Sequence, residues 1–223
     1  MPARLRPTAP IAAEAILVGD PGRALMLAQE LLQEPKMSNH ARGLWGYTGV
    51  TEAGRELTIQ ATGMGGPSAS VVLADLAELG VRRAVRIGTC ASLGDLALGE
   101  LVVVSEAHEF RGSFVGQDRT KEPRNGVLPA EALTSELAAA LPGAHSGTVL
   151  SLDSLYRPER DLPSTLAEVA DMQTAALLAA AAKLEVAVAA VLVVTEKSDS
   201  GQLRDEDLEA AAKLAGRAAV GVL

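Results

Sequence analysis

An α/β sandwich around a mostly parallel central sheet is the fold class the sequence predicts, and three observations carry it. Short apolar runs alternate with helix-length amphipathic segments, the order that builds parallel strands with helices between them. Glycine-containing turns close several of those runs, at Gly19-Asp20-Pro21-Gly22, at Gly63-Met64-Gly65-Gly66-Pro67 and at Gly88. The 223 residues are 48% apolar and 22% charged, ordinary values for one globular α/β domain covering 1–223.

The elements follow in order. Residues 15–18 are apolar and read as a buried strand ending at the first glycine turn. Leu25, Ala28, Leu31 and Leu32 recur at helical spacing and predict a helix over 23–33. A β-rich run at 57–62 precedes the second turn, and 68–79 reads as a helix stopped by Gly80. The third strand, 84–88, holds Arg86 where an apolar residue is expected, and 101–105 is the fourth. Residues 106–129 are polar and rich in Gly, Pro and Arg, and read as a long excursion or lid. A helix at 130–141 and a strand at 148–152 come next. An Ala-rich helix at 174–184, a strand at 186–195 and a terminal helix at 205–219 complete the reading. No internal repeat or low-complexity linker interrupts it.

Composition removes several function classes. Asp plus Glu number 28 against 20 Lys plus Arg, a formal charge of -8, and nucleic-acid binding needs a basic footprint. Aromatic residues are 2% of the chain, too few for base-stacking platforms. Cys90 is the single cysteine, so no internal disulfide forms and a reducing, cytoplasmic compartment is the default expectation. His40, His108 and His145 lie far apart and outside metal-ligand spacing, so no metal is expected. The N-terminal apolar run meets Asp20 and Pro21 and does not form a secretory signal pattern. The apolar stretch 186–195 is too short to span a bilayer, so no membrane partner is expected.

Some residues are placed for chemistry. Gly19-Asp20-Pro21-Gly22-Arg23 joins a strand to a helix start, where backbone N–H groups and a guanidinium favour an anion. The same residues also suit a plain turn capped by Asp20, with Arg23 in solvent. Arg86 in an apolar strand needs an anionic partner, either a carboxylate of the protein or a bound anion. Thr89 follows at the strand's C-terminal end, where open α/β sheets hold ligands. Asp171 precedes the Ala-rich helix and suits a cap, while Thr195, Glu196, Lys197 and Asp199 follow the last long strand. Carboxylates there suit general acids or a solvated loop.

Six segments together carry a resemblance. They are Gly19-Asp20-Pro21-x-Arg23, Ala41-Arg42-Gly43-Leu44-x-Gly46-Tyr47-Thr48-Gly49 and Thr62-Gly63-Met64-Gly65-x-Pro67-Ser68. Arg86-Ile87-Gly88-Thr89-Cys90, Asp171-Met172-Gln173-Thr174-Ala175 and Thr195-Glu196 follow in order. This pattern resembles the nucleoside phosphorylase family of hexameric purine nucleoside phosphorylases and uridine phosphorylases. The resemblance implies a single-domain three-layer α/β/α sandwich with a mixed, mostly parallel sheet. It implies that Gly19, Arg23, Arg86 and Thr89 bind phosphate, with Arg42 completing the site from a neighbouring subunit. Met64, Met172 and Gln173 would border the ribose, with Asp171 and Thr195 in the same nucleoside-binding segments. Leu155 and Tyr156 sit where the family places an aromatic pair beside the base. Arg4 is nearest by pattern to the histidine that the family lends to the neighbour's ribose. Glu196 falls where purine-specific members carry a catalytic Asp, and Asp199 replaces it if the alignment carries an insertion.

This sequence departs from the family at three places, the first being the N-terminal histidine it lacks. Gln173 stands for the usual Glu, and an amide both accepts and donates but carries no charge. Leu155 stands for Phe and weakens stacking. The expected reaction is phosphorolysis of a nucleoside, purine favoured, with inorganic phosphate as co-substrate and no metal or organic cofactor. The alternatives are a uridine-type enzyme, a hydrolytic nucleosidase, and a catalytically weak nucleoside- or phosphate-binding homologue. Glu159-Arg160 lies where pyrimidine members read uracil. The expected assembly is a hexamer built as a trimer of dimers.

Overall fold

A computed structural model describes residues 4–110, 126–153, 166–197 and 201–223. The first half runs β1 (Glu14–Val18), α1 (Pro21–Leu31), β2 (Gln33–Asn39), a 3-10 turn (Ala41–Gly43), β3 (Gly46–Val50), β4 (Glu56–Ala61) and α2 (Gly65–Glu78). It continues through β5 (Arg83–Ser92), β6 (Leu101–Phe110), α3 (Glu131–Ala140), β7 (His145–Leu152) and β8 (Val169–Asp171). The chain closes with α4 (Thr174–Leu184), β9 (Ala187–Lys197), β10 (Gly201–Gln202) and α5 (Asp205–Val222).

One mixed sheet joins the described strands in the order β10-β9-β6-β7-β8-β5-β1-β4-β3-β2. Strands β4, β1, β5 and β9 run parallel to one another. The β2-β3-β4 side is an antiparallel meander. β5 pairs with β8 at Ala91 and Ser92 as well as with β9 along most of its length. Strands β5, β9, β6, β7 and β8 therefore return on themselves at this end of the sheet.

Period-2 alternation sorts the core into two faces. Ala15 and Leu17 of β1, with Val188, Ala190 and Leu192 of β9, pack with Leu73 of α2 and Leu178 of α4. Ile16 and Val18, with Ala189 and Val191, pack with Leu27 of α1, Leu137 of α3 and Ala215 of α5. Each face buries apolar surface at roughly 25 cal/mol per Å². Strands covered on both faces read as continuous apolar runs, which is why 84–88 and 186–195 stand out in the sequence.

Some boundaries differ from expectation. β6 continues to Phe110 and takes 106–110 out of the expected excursion, because Ala107 and Phe110 are buried while β6 pairs along β7. Residues 111–125 lie outside the described residues. The helix expected over 23–33 ends at Leu31, and Gln33 already begins β2. β2 and β3 carry no sequence signal: one is an edge strand holding Pro35 and the other holds Gly46 and Gly49. β8 is three residues long, too short to show a period.

Candidate active site

The C-terminal ends of β1, β4, β5, β8 and β9 converge around a cavity of about 520 Å³. Open α/β sheets place ligands at this edge, and the volume lies in the usual range for small-molecule sites. Gly19, Arg23, Met64, Arg86, Thr89, Asp171, Met172, Gln173, Thr195 and Glu196 all line it.

Each lining segment has a local reason for its course. Asp20 caps α1, its Oδ1 accepting from the Gly22 amide at 2.9 Å, and Pro21 takes the first helical position. Gly63 and Gly65 adopt φ of +73° and +80°, values that only glycine takes at little cost, so β4 can turn sharply into α2. Ser68 Oγ donates to the Thr62 carbonyl at 2.6 Å and ties that turn down. Met64, 82% exposed, projects at the rim.

Arg86 is the buried centre, 3% exposed. Its Nε donates to Thr174 Oγ1 at 3.0 Å, Nη1 to Gln173 Oε1 at 2.6 Å and Nη2 to Asp171 Oδ2 at 3.0 Å. The carboxylate partner that the strand demands is thus Asp171 of the same chain. A guanidinium has five N–H donors, so two remain after these bonds.

Asp171 is itself heavily engaged. Oδ1 accepts from Ser151 Oγ at 2.5 Å, and Oδ2 accepts from Thr174 Oγ1 at 2.6 Å and the Thr174 amide at 3.0 Å. With Arg86 these are four donors, three on Oδ2 and one on Oδ1, so most of the acceptor capacity of Asp171 is used inside the protein. Asp171 thus orders Arg86 and accepts the Thr174 amide at the start of α4 while it lines the cavity. Gln173 has little more to spare. Oε1 accepts from Arg86 and from Thr62 Oγ1 at 3.2 Å, and Nε2 donates to the Gly63 carbonyl at 2.5 Å. One amide N–H is left to face a ligand. The arrangement uses both sides of an amide, and an ionised Glu could not donate to Gly63.

Arg23 behaves differently. It is half-buried in the cavity wall and has no hydrogen bond or ion pair among the described residues. Burial lowers its pKa, the Asp20 carboxylate partly restores it, and the nearby Arg86 charge lowers it further. Two guanidiniums thus face one cavity, one held by the protein and one unpartnered among the described residues. Cys90 also lines the cavity, and burial pushes its thiol well above the ordinary range, which keeps it a thiol.

Glu196 lies at the end of β9, paired in register with Gln202 of β10, and is exposed. Its carboxylate stands at the open mouth of the cavity and is not enclosed by this chain alone. Arg42 is exposed in the 3-10 turn with φ of +61° and does not line the cavity of its own chain. Nor does Arg4, whose backbone amide donates to Asp75 Oδ2 of α2 at 2.6 Å. Leu155, Tyr156, Glu159, Arg160 and Asp199 lie outside the described residues. Sequence reasoning missed Ser151, Thr62 and Thr174 as ordering groups, although a hydroxyl at a buried strand end or helix start was a signal. Among the described residues no group of three His, Cys, Asp or Glu side chains could hold a metal. No helix among them is long and apolar enough to cross a membrane.

Comparison with known proteins gives one answer from three directions. A family model described as the phosphorylase superfamily matches residues 14–223. A DeoD-type purine nucleoside phosphorylase of Bacillus cereus is 31% identical over 204 residues, 86% of this chain and 85% of its own length. That of Bacillus thuringiensis (strain Al Hakam) is 30% identical over the same shares. A uridine phosphorylase structure from Vibrio fischeri ES114 superposes with a TM-score of 0.78 at 25% identity, over 96% of this chain and 92% of that one. The purine nucleoside phosphorylase of Toxoplasma gondii, in complex with immucillin-H, shares the fold with a TM-score of 0.78 at 21% identity, over 95% and 89%.

Proposed function

The chain belongs to the phosphorylase superfamily, as an enzyme of the nucleoside phosphorylase kind, and from that premise we propose that it splits purine nucleosides with inorganic phosphate. The observation that carries this reading is the pair Arg23 and Arg86 at one cavity wall, the first half-buried near Asp20 but with no hydrogen bond or ion pair among the described residues. A half-buried guanidinium is costly without an anion, and a phosphate dianion supplies one by charge-assisted hydrogen bonds. The turn at Gly19 and Asp20, just ahead of α1, adds backbone N–H groups to the lining of the same pocket.

The chemistry follows from holding phosphate against the sugar. A phosphate oxygen forms a bond to C1′ as the C1′–N bond breaks, and the electron pair leaves with the base. Positioning and charge stabilisation are the chain's main contributions. A purine leaving group gathers charge at N7, and Glu196 or Asp199 delivers the proton there. The products are the free base and ribose 1-phosphate. Arg42 and Arg4 stand outside the cavity of their own chain, the placement that donation to a neighbouring subunit needs, and a hexamer built as a trimer of dimers is the assembly proposed. The identity of about three in ten residues with purine enzymes favours a purine over uridine.

The test is base release from inosine, guanosine and uridine with and without phosphate. Phosphate-dependent release of purine, matched by ribose 1-phosphate, is the expected result. Release without phosphate would make the protein a nucleosidase, and preference for uridine would make it the pyrimidine type. Nucleoside binding without turnover would make it the weak-binding homologue, the reading that the internally bonded Asp171 and Gln173 favour.

A further inference from the structure

Gly88 lies two residues beyond Arg86 on β5, so both face the same side of the sheet. A Cβ built on Gly88 would stand 2.6 Å from Arg86 Nη2, 2.9 Å from Arg86 Cζ and 2.7 Å from Leu192 Cδ2. Real Cβ atoms do not approach other heavy atoms so closely. The guanidinium is folded back along its own strand, into the volume that any other residue at 88 would fill. Backbone strain is not the reason for glycine here, since Gly88 is not among the positive-φ glycines. The reason is the space itself.

We propose that Gly88 is a positioning residue for anion binding: its missing side chain is what lets Arg86 reach Asp171, Gln173 and Thr174 and present its two remaining N–H groups to the cavity. Leu192 is fully buried in the core on this face of the sheet. The Arg86 side chain is the more movable of the two neighbours. Gly88→Ala thus displaces the guanidinium first, breaking the 2.6 Å bond to Gln173 and the 3.0 Å ion pair to Asp171. The displaced arginine no longer offers a fixed pair of donors, while Arg23, on α1, stays where it is. This inference rests on the cavity being the phosphate site.

The test is a double-mutant cycle of Gly88→Ala and Arg86→Ala, read in two ways. Equilibrium binding of inorganic phosphate, measured by calorimetry without nucleoside, is the first. Gly88→Ala weakens phosphate at least about tenfold in the parent, the loss expected of one charge-assisted contact. In the Arg86→Ala background it adds less than about twofold, because the group it displaces is gone. Nucleoside binding changes by less than about twofold. Unchanged phosphate affinity in Gly88→Ala overturns the proposal, as does an equal loss in both backgrounds or for both ligands. Denaturant stability is the second reading and needs no activity. Gly88→Ala destabilises the parent and costs less when Arg86 is Ala, because only the Leu192 contact then meets the new Cβ. Additive stability losses overturn the steric claim. A parent chain that binds no phosphate refutes the proposed function instead, and the stability cycle still decides the role of Gly88.

Discussion

Helices α2 and α4 meet at Gly66, and the meeting is close enough to predict what one methyl does there. A Cβ on Gly66 would lie 2.7 Å from Ala176 Cβ and 3.7 Å from the Met172 carbonyl oxygen. Two carbons rest at about 3.5–4.0 Å, so Gly66→Ala forces the helices apart by roughly 1 Å. Neither group can swing away, because each Cβ is fixed to its helix backbone. Overpacking of this kind costs about 1–3 kcal/mol, offset in part by the helix preference of Ala over Gly, up to ~1 kcal/mol. Ala176→Gly alone costs about 1 kcal/mol for the opposite reason. Together the two substitutions exchange the methyl between helices and restore the spacing. Urea titration of the four proteins, with equal m-values, gives the coupling, expected at about 1–2 kcal/mol in favour of the pair. Losses that add within ~0.5 kcal/mol would show that the helices are not in contact at this point, and the reasoning fails.

Other expectations concern the site and its surroundings. Glu196→Gln lowers inosine turnover by ~10²–10⁴-fold and leaves 7-methylguanosine, which already carries charge at N7, much less affected; a selective loss in Asp199→Asn instead moves the acid to that residue. Asp171→Asn keeps an oxygen for the Thr174 amide but loses the ion pair to Arg86, so the KM for phosphate rises at least about tenfold while the KM for nucleoside stays within about twofold; equal rises in both refute a role through Arg86. Burial pushes the Glu168 carboxyl up, but the Thr148 amide and His145 outweigh it and hold the pKa below the usual value. A depressed carboxylate pKa stabilises the fold above the unfolded value and loses that contribution as pH falls through the folded value. The pair is nearly half exposed, so the contribution is only about 0.2–1 kcal/mol. Thermal melts from about pH 7 down to about pH 3 check this, and Glu168→Gln flattens that part of the profile.

The sequence made the strand ends legible because each of them breaks a rule. Arg86 is a cation in an apolar strand, Gly63 and Gly65 sit where β4 must turn at positive φ, and Asp20 caps a helix with Pro behind it. Such residues mark a site without any partner in view. What stayed hidden was pairing across the chain. Nothing in the spacing tells that Asp171, rather than an outside anion, takes the Arg86 charge, since the two lie 85 residues apart. The same holds for Ser151, which reaches both Asp171 and the Ala175 amide at 2.9 Å from β7. The exposure of Glu196 was hidden too, because a residue ending a buried strand carries no mark of where burial stops. Edge elements β2 and β3 lack an apolar period and were not legible for that reason.

β5 has three strand neighbours, β1 and β9 along its length and β8 at its end. Its amides are locked on both sides and buried, so their exchange with solvent deuterium waits for the largest openings of the molecule. Arg86 and Thr89 ride on that strand, while Met64 and Glu196 stand exposed at the rim. Side-chain motion at the mouth therefore leaves the floor of the cavity unmoved, because that floor opens only when the central strand does.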